Sequence, residues 1–296
     1  MMMTEEELLA RLLYRDGLML VLDKPAGIPV HAGPGGGDNL ESHFDGLRFG
    51  FPNPPSLAHR LDRDTAGCLV LGRHPKALRR LGILFQEGRV AKTYWAVVAG
   101  QPADNSGKID LPLHKISDAR RGWRMVVDRD NGQPSVTLWR VRGRGELPGI
   151  GPIAWLELNP KTGRTHQIRV HTQSLGCPVL GDPIYGGQPD GTGLPLHLLS
   201  RAITVPIQAT KDPVTVTAPV PPHMRAALLA CGWGDEDPST LNPPPPPRPE
   251  PVSPVAGAAS PAGAPQSARP AAGPPARSGK PGNAPSRGGG RRRPHP

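Results

Sequence analysis

Apolar residues occur along this chain in short runs set between polar turns. The first run predicts a helix, with Thr4 and Glu7 in a capping-box pattern ahead of Leu8, Leu9, Leu12 and Leu13. Continuous apolar runs at LMLVL (18–22) and CLVLG (68–72) predict buried strands. Between them DKPAGIPVH turns the chain at Pro25 and Gly27, and HAGPGGGDN (31–39) reads as a flexible loop. PKALRRLGILFQEG predicts a helix opened by Pro75 and stopped by Gly88, with Leu78, Leu81 and Phe85 on its packed face. KTYWAVVAG (92–100), residues 136–142 and 153–159, and LHLLSRAITVPI (196–207) predict further strands. Another helix is expected from near Thr165 to Gly176. Strands outnumber helices and do not alternate with them, which predicts an α+β fold rather than a doubly wound parallel sheet.

Composition divides the chain in two. Residues 238–296 hold 18 of the 40 prolines and none of the aromatics, and they carry +7 of the formal +10. Large apolar residues are nearly absent there, so this Pro/Ala/Gly/Arg-rich stretch is expected to be a disordered basic tail. Residues 1–237 are expected to form the folded domain, long enough to bury a core. No apolar run is long enough for a membrane span. The N-terminus is acidic where a secretory signal would be basic. Cys68, Cys177 and Cys231 lie far apart and read as reduced thiols, so a cytoplasmic setting is expected.

Two polar clusters carry candidate chemistry. AHRLDRDTAG (58–67) brings His59, Arg60, Asp62, Arg63, Asp64 and Thr65 to the edge of a buried strand. That pattern suits a loop held at a cleft. It equally suits a solvated turn with local ion pairs. NPKTGRTHQIRVH (159–171) offers a turn at Gly163, a cap at Thr165, and Arg164 and Arg169 about a helix start, a setting that suits phosphate. His166 and His171 stand five apart, which is wrong for two ligands on one helical face, so no metal is expected.

These strings, taken in order, resemble the RluA-type RNA pseudouridine synthases. HRLDRDTAG is similar to the HRLDxxTSG signature of that family. LVLDKPAGIPVH, KTYWAVVAG, TGRTHQIRVH, LGDPIYG and LHLLSRAITV resemble its other pieces, so the likeness spans roughly residues 15 to 225. The resemblance implies a large, mostly antiparallel mixed sheet in two halves, with flanking helices and a central cleft. It implies isomerisation of uridine in RNA to pseudouridine, without cofactor or metal. Asp62 matches the catalytic aspartate, Arg169 its basic partner, and Tyr94 the active-site tyrosine. Arg60 is expected to help displace the target base or hold phosphate, since a stacked base must be flipped out to be reached. His59, Thr65, Arg164, Thr165, His166 and Gln167 are expected around the substrate, with His59 and Thr65 shaping the loop rather than reacting. Lys24 and Lys92 read either as phosphate contacts or as solvated side chains.

There are departures from the pattern. Ala66 stands where the family has serine, and the S4-type RNA-binding domain of many relatives is not seen ahead of the motifs. The expected partner is ribosomal or transfer RNA, with the basic tail adding salt-sensitive affinity or serving only as a solubilising extension. A monomer is expected. Two other readings compete: a glycoside hydrolase using Asp62 and Asp64, which stand only two residues apart, and an RNA-binding or ribosome-assembly factor whose catalysis is dispensable.

Overall fold

The computed structural model describes residues 3–33, 36–118, 122–186, 193–234, 236–237 and 241–242. The first helix is α1, Glu5–Leu9, and it carries the expected capping box: Glu7 N donates to Thr4 Oγ1 at 3.1 Å, and Thr4 N donates to Glu7 Oε2 at 2.9 Å. It ends earlier than the leucine spacing predicts. Leu12 and Leu13 instead open strand β1, Leu12–Arg15, which pairs antiparallel with β2, Met19–Lys24. Pairing with a buried neighbour wins over local periodicity.

A 3-10 helix over Leu40–Leu47 follows, then β3 (Ser56–Leu57), β4 (Ala66–Gly72) and α2 (Pro75–Gln86). Next come β5 (Ala91–Ala99), β6 (Ser106–Asp110), β7 (Leu113–Asp118), β8 (Gly122–Val127), β9 (Val136–Leu147) and β10 (Gly151–Pro160). The described elements close with α3 (Gln167–Ser174), β11 (Leu198–Val205), β12 (Val214–Thr217) and α4 (Pro222–Ala230). The main sheet runs β1-β2-β4-β11-β5-β10-β9-β6, with β3 joined to β4 and β12 to β11. Its strands are antiparallel except where β4 meets β11. β7 and β8 form a separate hairpin. The architecture is α+β, as expected.

The parallel joint between β4 and β11 depends on Gly67. Its φ is +105°, and a Cβ there would lie 2.3 Å from the Ser200 carbonyl oxygen. Only glycine lets the two strands approach so closely.

The faces of the sheet differ. On one face a continuous core runs from Met19 and Val70 through Trp95 and Trp155 to Met224 and Leu228 of α4. On the other face the core is split. One cluster gathers Leu20, Leu22, Leu69 and Leu71 beneath Phe44. The second gathers Ala96, Leu156, Leu158 and Ile168. Tyr94 packs against both, so it stands at the gap between them.

Among the described residues, no helix is long and apolar enough to cross a membrane. The stretch expected to be a disordered tail lies outside the described residues, except for Leu241 and Asn242. Asn242 pairs with the end of β12: Oδ1 accepts from Thr217 N at 2.9 Å, and Nδ2 donates to Thr217 O at 2.6 Å.

Candidate active site

The loop that carries Asp62 joins β3 to β4 and is tied from beneath. Lys24, at the end of β2, is completely buried. Its Nζ donates to Pro25 O at 2.8 Å, Arg63 O at 2.7 Å and Thr65 O at 3.0 Å. Three donors thus meet three carbonyls, two of them in the loop. Burial lowers its pKa to about 7, while Asp64, Asp62 and Asp23 pull it back up. Lys24 is therefore neither a phosphate contact nor a solvated side chain. Its position under the loop removes it from both expected roles.

His59 ties the loop from the side. Its Nε2 accepts from Val70 N at 3.0 Å, and its ring stacks on Phe85 with centroids 4.6 Å apart. Burial, with Lys92 adding, lowers its pKa to about 4, so the ring stays neutral and Nε2 stays an acceptor. Thr65 is buried, and its N–H donates to Asp62 O at 3.1 Å, closing the turn. The Asp62 carboxyl remains partly exposed, and Arg60 is exposed beside it.

The second motif uses most of its polar groups internally. Gln167 Oε1 accepts from Thr162 Oγ1 at 2.7 Å and Arg164 N at 3.0 Å. Its Nε2 donates to Val136 O at 3.0 Å and Thr137 Oγ1 at 2.9 Å. The expected substrate contact is thus a clamp with every hydrogen-bonding position occupied. The expected Thr165 cap does not form either. The helix starts later, with His166 at the N-cap position in a left-handed conformation (φ +52°) and without a side-chain cap bond. Thr165 lines the cavity instead. His171 holds Thr137 Oγ1 at 2.9 Å and Leu111 O at 3.1 Å. Arg164 Nε donates to Pro134 O at 3.3 Å while the residue stays exposed at the rim.

Arg169 is held by a second carboxylate. Its Nε and Nη2 each lie 2.7 Å from an oxygen of Asp182, a bidentate fork, so it does not pair directly with Asp62. Burial is the largest influence on this guanidinium and opposes its charge. The hydrogen bonds and field of Asp182, with Asp62 behind them, outweigh it and raise the pKa. Asp182 Oδ1 also accepts from Ile184 N at 2.9 Å and Tyr185 N at 3.0 Å. The ring that approaches Asp62 is His166, whose Nε2 lies 3.9 Å from Asp62 Oδ2.

Between the two motifs lies a cavity of about 620 Å³. Its lining includes Arg60, Lys92, Lys161, Arg164 and Arg169, and Asp62 is the one carboxylate among the described lining residues. Tyr94 lies in the same wall. Burial raises the Tyr94 pKa, Asp62 adds to this and Ser200 opposes it, so the hydroxyl keeps its proton. Burial lowers the Lys92 pKa. Asp64 lies on another cavity, of about 740 Å³, together with Ala26 and His223. Asp62 and Asp64 therefore do not face a common substrate, which removes the paired-carboxylate reading.

Three residues of this neighbourhood escape sequence reasoning: Asp182, Tyr185 and Trp123. The first two sit three apart in LGDPIYG, a spacing that lets an aspartate hold backbone N–H groups. Nothing in the sequence marks Trp123, which stacks on His166 with centroids 5.0 Å apart.

A sequence profile described as RNA pseudouridylate synthase matches residues 18–174. An RNA pseudouridine synthase of Zymomonas mobilis is 44% identical over 212 residues, covering 71% of this chain and 94% of the relative. The ribosomal large subunit pseudouridine synthase C of Haemophilus ducreyi is 37% identical over 230 residues, covering 75% of this chain and 69% of the relative. Among solved structures, human RNA pseudouridylate synthase domain containing 4 is similar with a TM-score of 0.63 and 26% identity. That match covers 79% of this chain and 97% of the other.

Proposed function

The chain belongs to the RNA pseudouridylate synthase family, and we propose that Asp62 is the catalytic aspartate of its isomerisation of uridine in RNA. In that reaction the N1–C1′ bond breaks, the base turns and C5 bonds to C1′; C5 gives up its proton to solvent and N1 takes one up, so the product is an isomer. Asp62 would act on the sugar, either at C1′ or on a sugar proton. One observation carries the reading: among the described lining residues a single carboxylate stands with five cationic side chains. The cations suit a polyanion, and the carboxylate suits the group that must act on it.

Tyr94 fits a role played by its ring, stacked on the uracil, because its hydroxyl holds its proton. Arg60, exposed at the rim, suits holding phosphate or filling the space of a displaced base. Arg169 supplies positive charge behind the carboxylate while Asp182 fixes its plane.

The substrate inferred is ribosomal RNA, on the strength of the large-subunit synthases to which this chain is similar. Pseudouridine is mapped across ribosomal and transfer RNA by carbodiimide labelling, in cells lacking the protein and complemented with wild type or Asp62→Asn. A ribosomal site that returns only with wild type supports both assignments. A site restored by Asp62→Asn overturns the catalytic role, and a site in transfer RNA moves the substrate there.

A further inference from the structure

A chain of hydrogen bonds leads toward Asp62, and its polarity follows from its donors. Met125 N on β8 can only donate, and it reaches Tyr185 Oη at 3.0 Å. The phenol's own hydrogen is left for one acceptor. His166 Nδ1 stands 2.9 Å from the same oxygen. Were Nδ1 protonated, the Tyr185 hydrogen would have no acceptor among the described residues, in a side chain that is 3% exposed. A buried polar group left unmet is costly. Tyr185 therefore donates to Nδ1, and the imidazole's single proton sits on Nε2. That N–H faces Asp62 Oδ2 across 3.9 Å. An approach of about 1 Å turns the gap into a hydrogen bond.

The ring is braced on two sides. Trp123 stacks on it at 26°, and Tyr185 meets it edge-on with centroids 5.6 Å apart. The backbone at His166 is left-handed, a conformation that is strained for a non-glycine residue. Strain of this kind persists where the surroundings over-determine it.

We propose that His166 is a positioning residue for Asp62: a neutral imidazole whose Nε2–H closes onto Oδ2 and aims the carboxylate, with Tyr185 and Met125 setting its tautomer. The inference rests on the reading of Asp62 as the catalytic aspartate. The ring is surrounded by Asp62 and Arg60 of the loop before β4, Arg169 of α3, and Asp182 and Tyr185 of the loop after it. Lys115 of β7 lies over Trp123. Burial is the largest influence and keeps the ring neutral; Arg169 and Arg60 reinforce this, while Asp62 and Asp182 oppose it.

The test uses unfractionated RNA labelled with 5-tritiated uridine, taken from cells lacking the protein, and reads tritium released to water. His166→Gln keeps an acceptor toward Tyr185 and an N–H toward Asp62 but cannot titrate. His166→Leu keeps bulk and loses both. The two variants share the left-handed backbone, so their difference isolates the hydrogen bonds. The leucine variant is expected to lose roughly tenfold or more in rate at saturating RNA, with the half-saturating concentration changed by less than about twofold, and the glutamine variant to recover to within about threefold of wild type. Tyr185→Phe removes the donor that keeps the proton off Nδ1, so the neutral ring can place it there instead of on Nε2; its rate falls below wild type near neutral pH and recovers toward wild type in acid, where a second proton restores Nε2–H. Equal rates for the two His166 variants overturn the proposal. Should the leucine variant not fold, a Tyr185→Phe profile that superimposes on wild type overturns it alone. Asp62→Asn is run alongside: tritium release that survives there overturns the Asp62 reading itself, whereas its loss with equal His166 variants overturns only the role of His166.

Discussion

The two polar motifs that flank the cavity spend their side chains in opposite ways. In residues 58–67 the loop is held largely by groups outside it or at its edge: Lys24 takes its carbonyls, and His59 takes the N–H of the neighbouring strand. Asp62 and Arg60 are left facing the cavity. In residues 162–171 the side chains satisfy one another and the adjoining strand. Gln167 fills all its hydrogen-bonding positions, His171 uses both ring nitrogens, and Arg169 forks onto Asp182. A dense polar string thus marks a backbone that needs tying down. How many of its groups remain for substrate depends on whether the ties come from within or from outside.

Replacing the tie beneath the first loop gives the largest effect expected. Lys24→Met takes the ammonium donor from the carbonyls of Pro25, Arg63 and Thr65, of which Arg63 O keeps another donor, the N–H of Gly27; each carbonyl left unpaired costs roughly 1–3 kcal/mol. A urea-unfolding midpoint well below wild type, together with lost tritium release, is expected. An unchanged midpoint with weakened RNA binding would make Lys24 a phosphate contact after all and break the contrast.

His59 gives the next largest effect, through pH. Its folded pKa of about 4 lies below the ordinary 6.5, so between these values the unfolded chain binds a proton that the fold refuses. The stability it contributes is complete above about pH 6.5 and is lost as pH falls toward about 4, by on the order of 3 kcal/mol. Asp23, whose carboxyl burial raises to about 6, acts in the opposite sense. The difference between wild type and His59→Gln across pH 7 to 4 isolates the histidine, because Asp23 is common to both. Parallel stability curves would mean that His59 titrates normally and the loop is held otherwise.

Strands buried on both faces were legible as apolar runs: β2, β4, β5 and β11 carry almost no exposed residue to interrupt the signal. β6, β7 and β8 were not legible, because exposed residues such as Lys108, His114 and Trp123 break up any period. Leu12 and Leu13 misled the reading because their partner in β2 lies beyond the local window. At the site, motif order pointed to Asp62, Tyr94 and Arg169. It could not show that Asp64 lies on another cavity, nor that Asp182 holds Arg169. Those facts rest on contacts between distant segments, which spacing does not encode. Lys24 is the sharpest case: a lysine in a turn reads as solvated, and only the fold shows it fully buried.

The internal bonding of the second motif is tested by Gln167→Leu. Thr162 Oγ1 and Arg164 N lose their acceptor, while Val136 O keeps the N–H of Lys161 and Thr137 Oγ1 keeps His171, and a cost of roughly 2 kcal/mol is expected in the unfolding midpoint. Affinity for ribosomal RNA among folded molecules should hold. A stable variant with weakened affinity would return Gln167 to the substrate.

Arg60→Gln is the mirror image and the smallest effect in stability. The side chain is exposed at the rim, so the unfolding midpoint should stay within about 0.5 kcal/mol of wild type. Its charge should appear instead in the salt dependence of RNA binding. One phosphate contact contributes a slope of a little under one in log affinity against log salt. A slope shallower by about one, with affinities converging at high salt, places Arg60 on the phosphate backbone. An unchanged slope with a slower rate at saturating RNA places it at the flipped base instead. Either result keeps Arg60 as a group the first motif leaves for substrate. A fall in stability with no change in binding would erase the distinction between the two motifs, because Arg60 would then be one more internal tie.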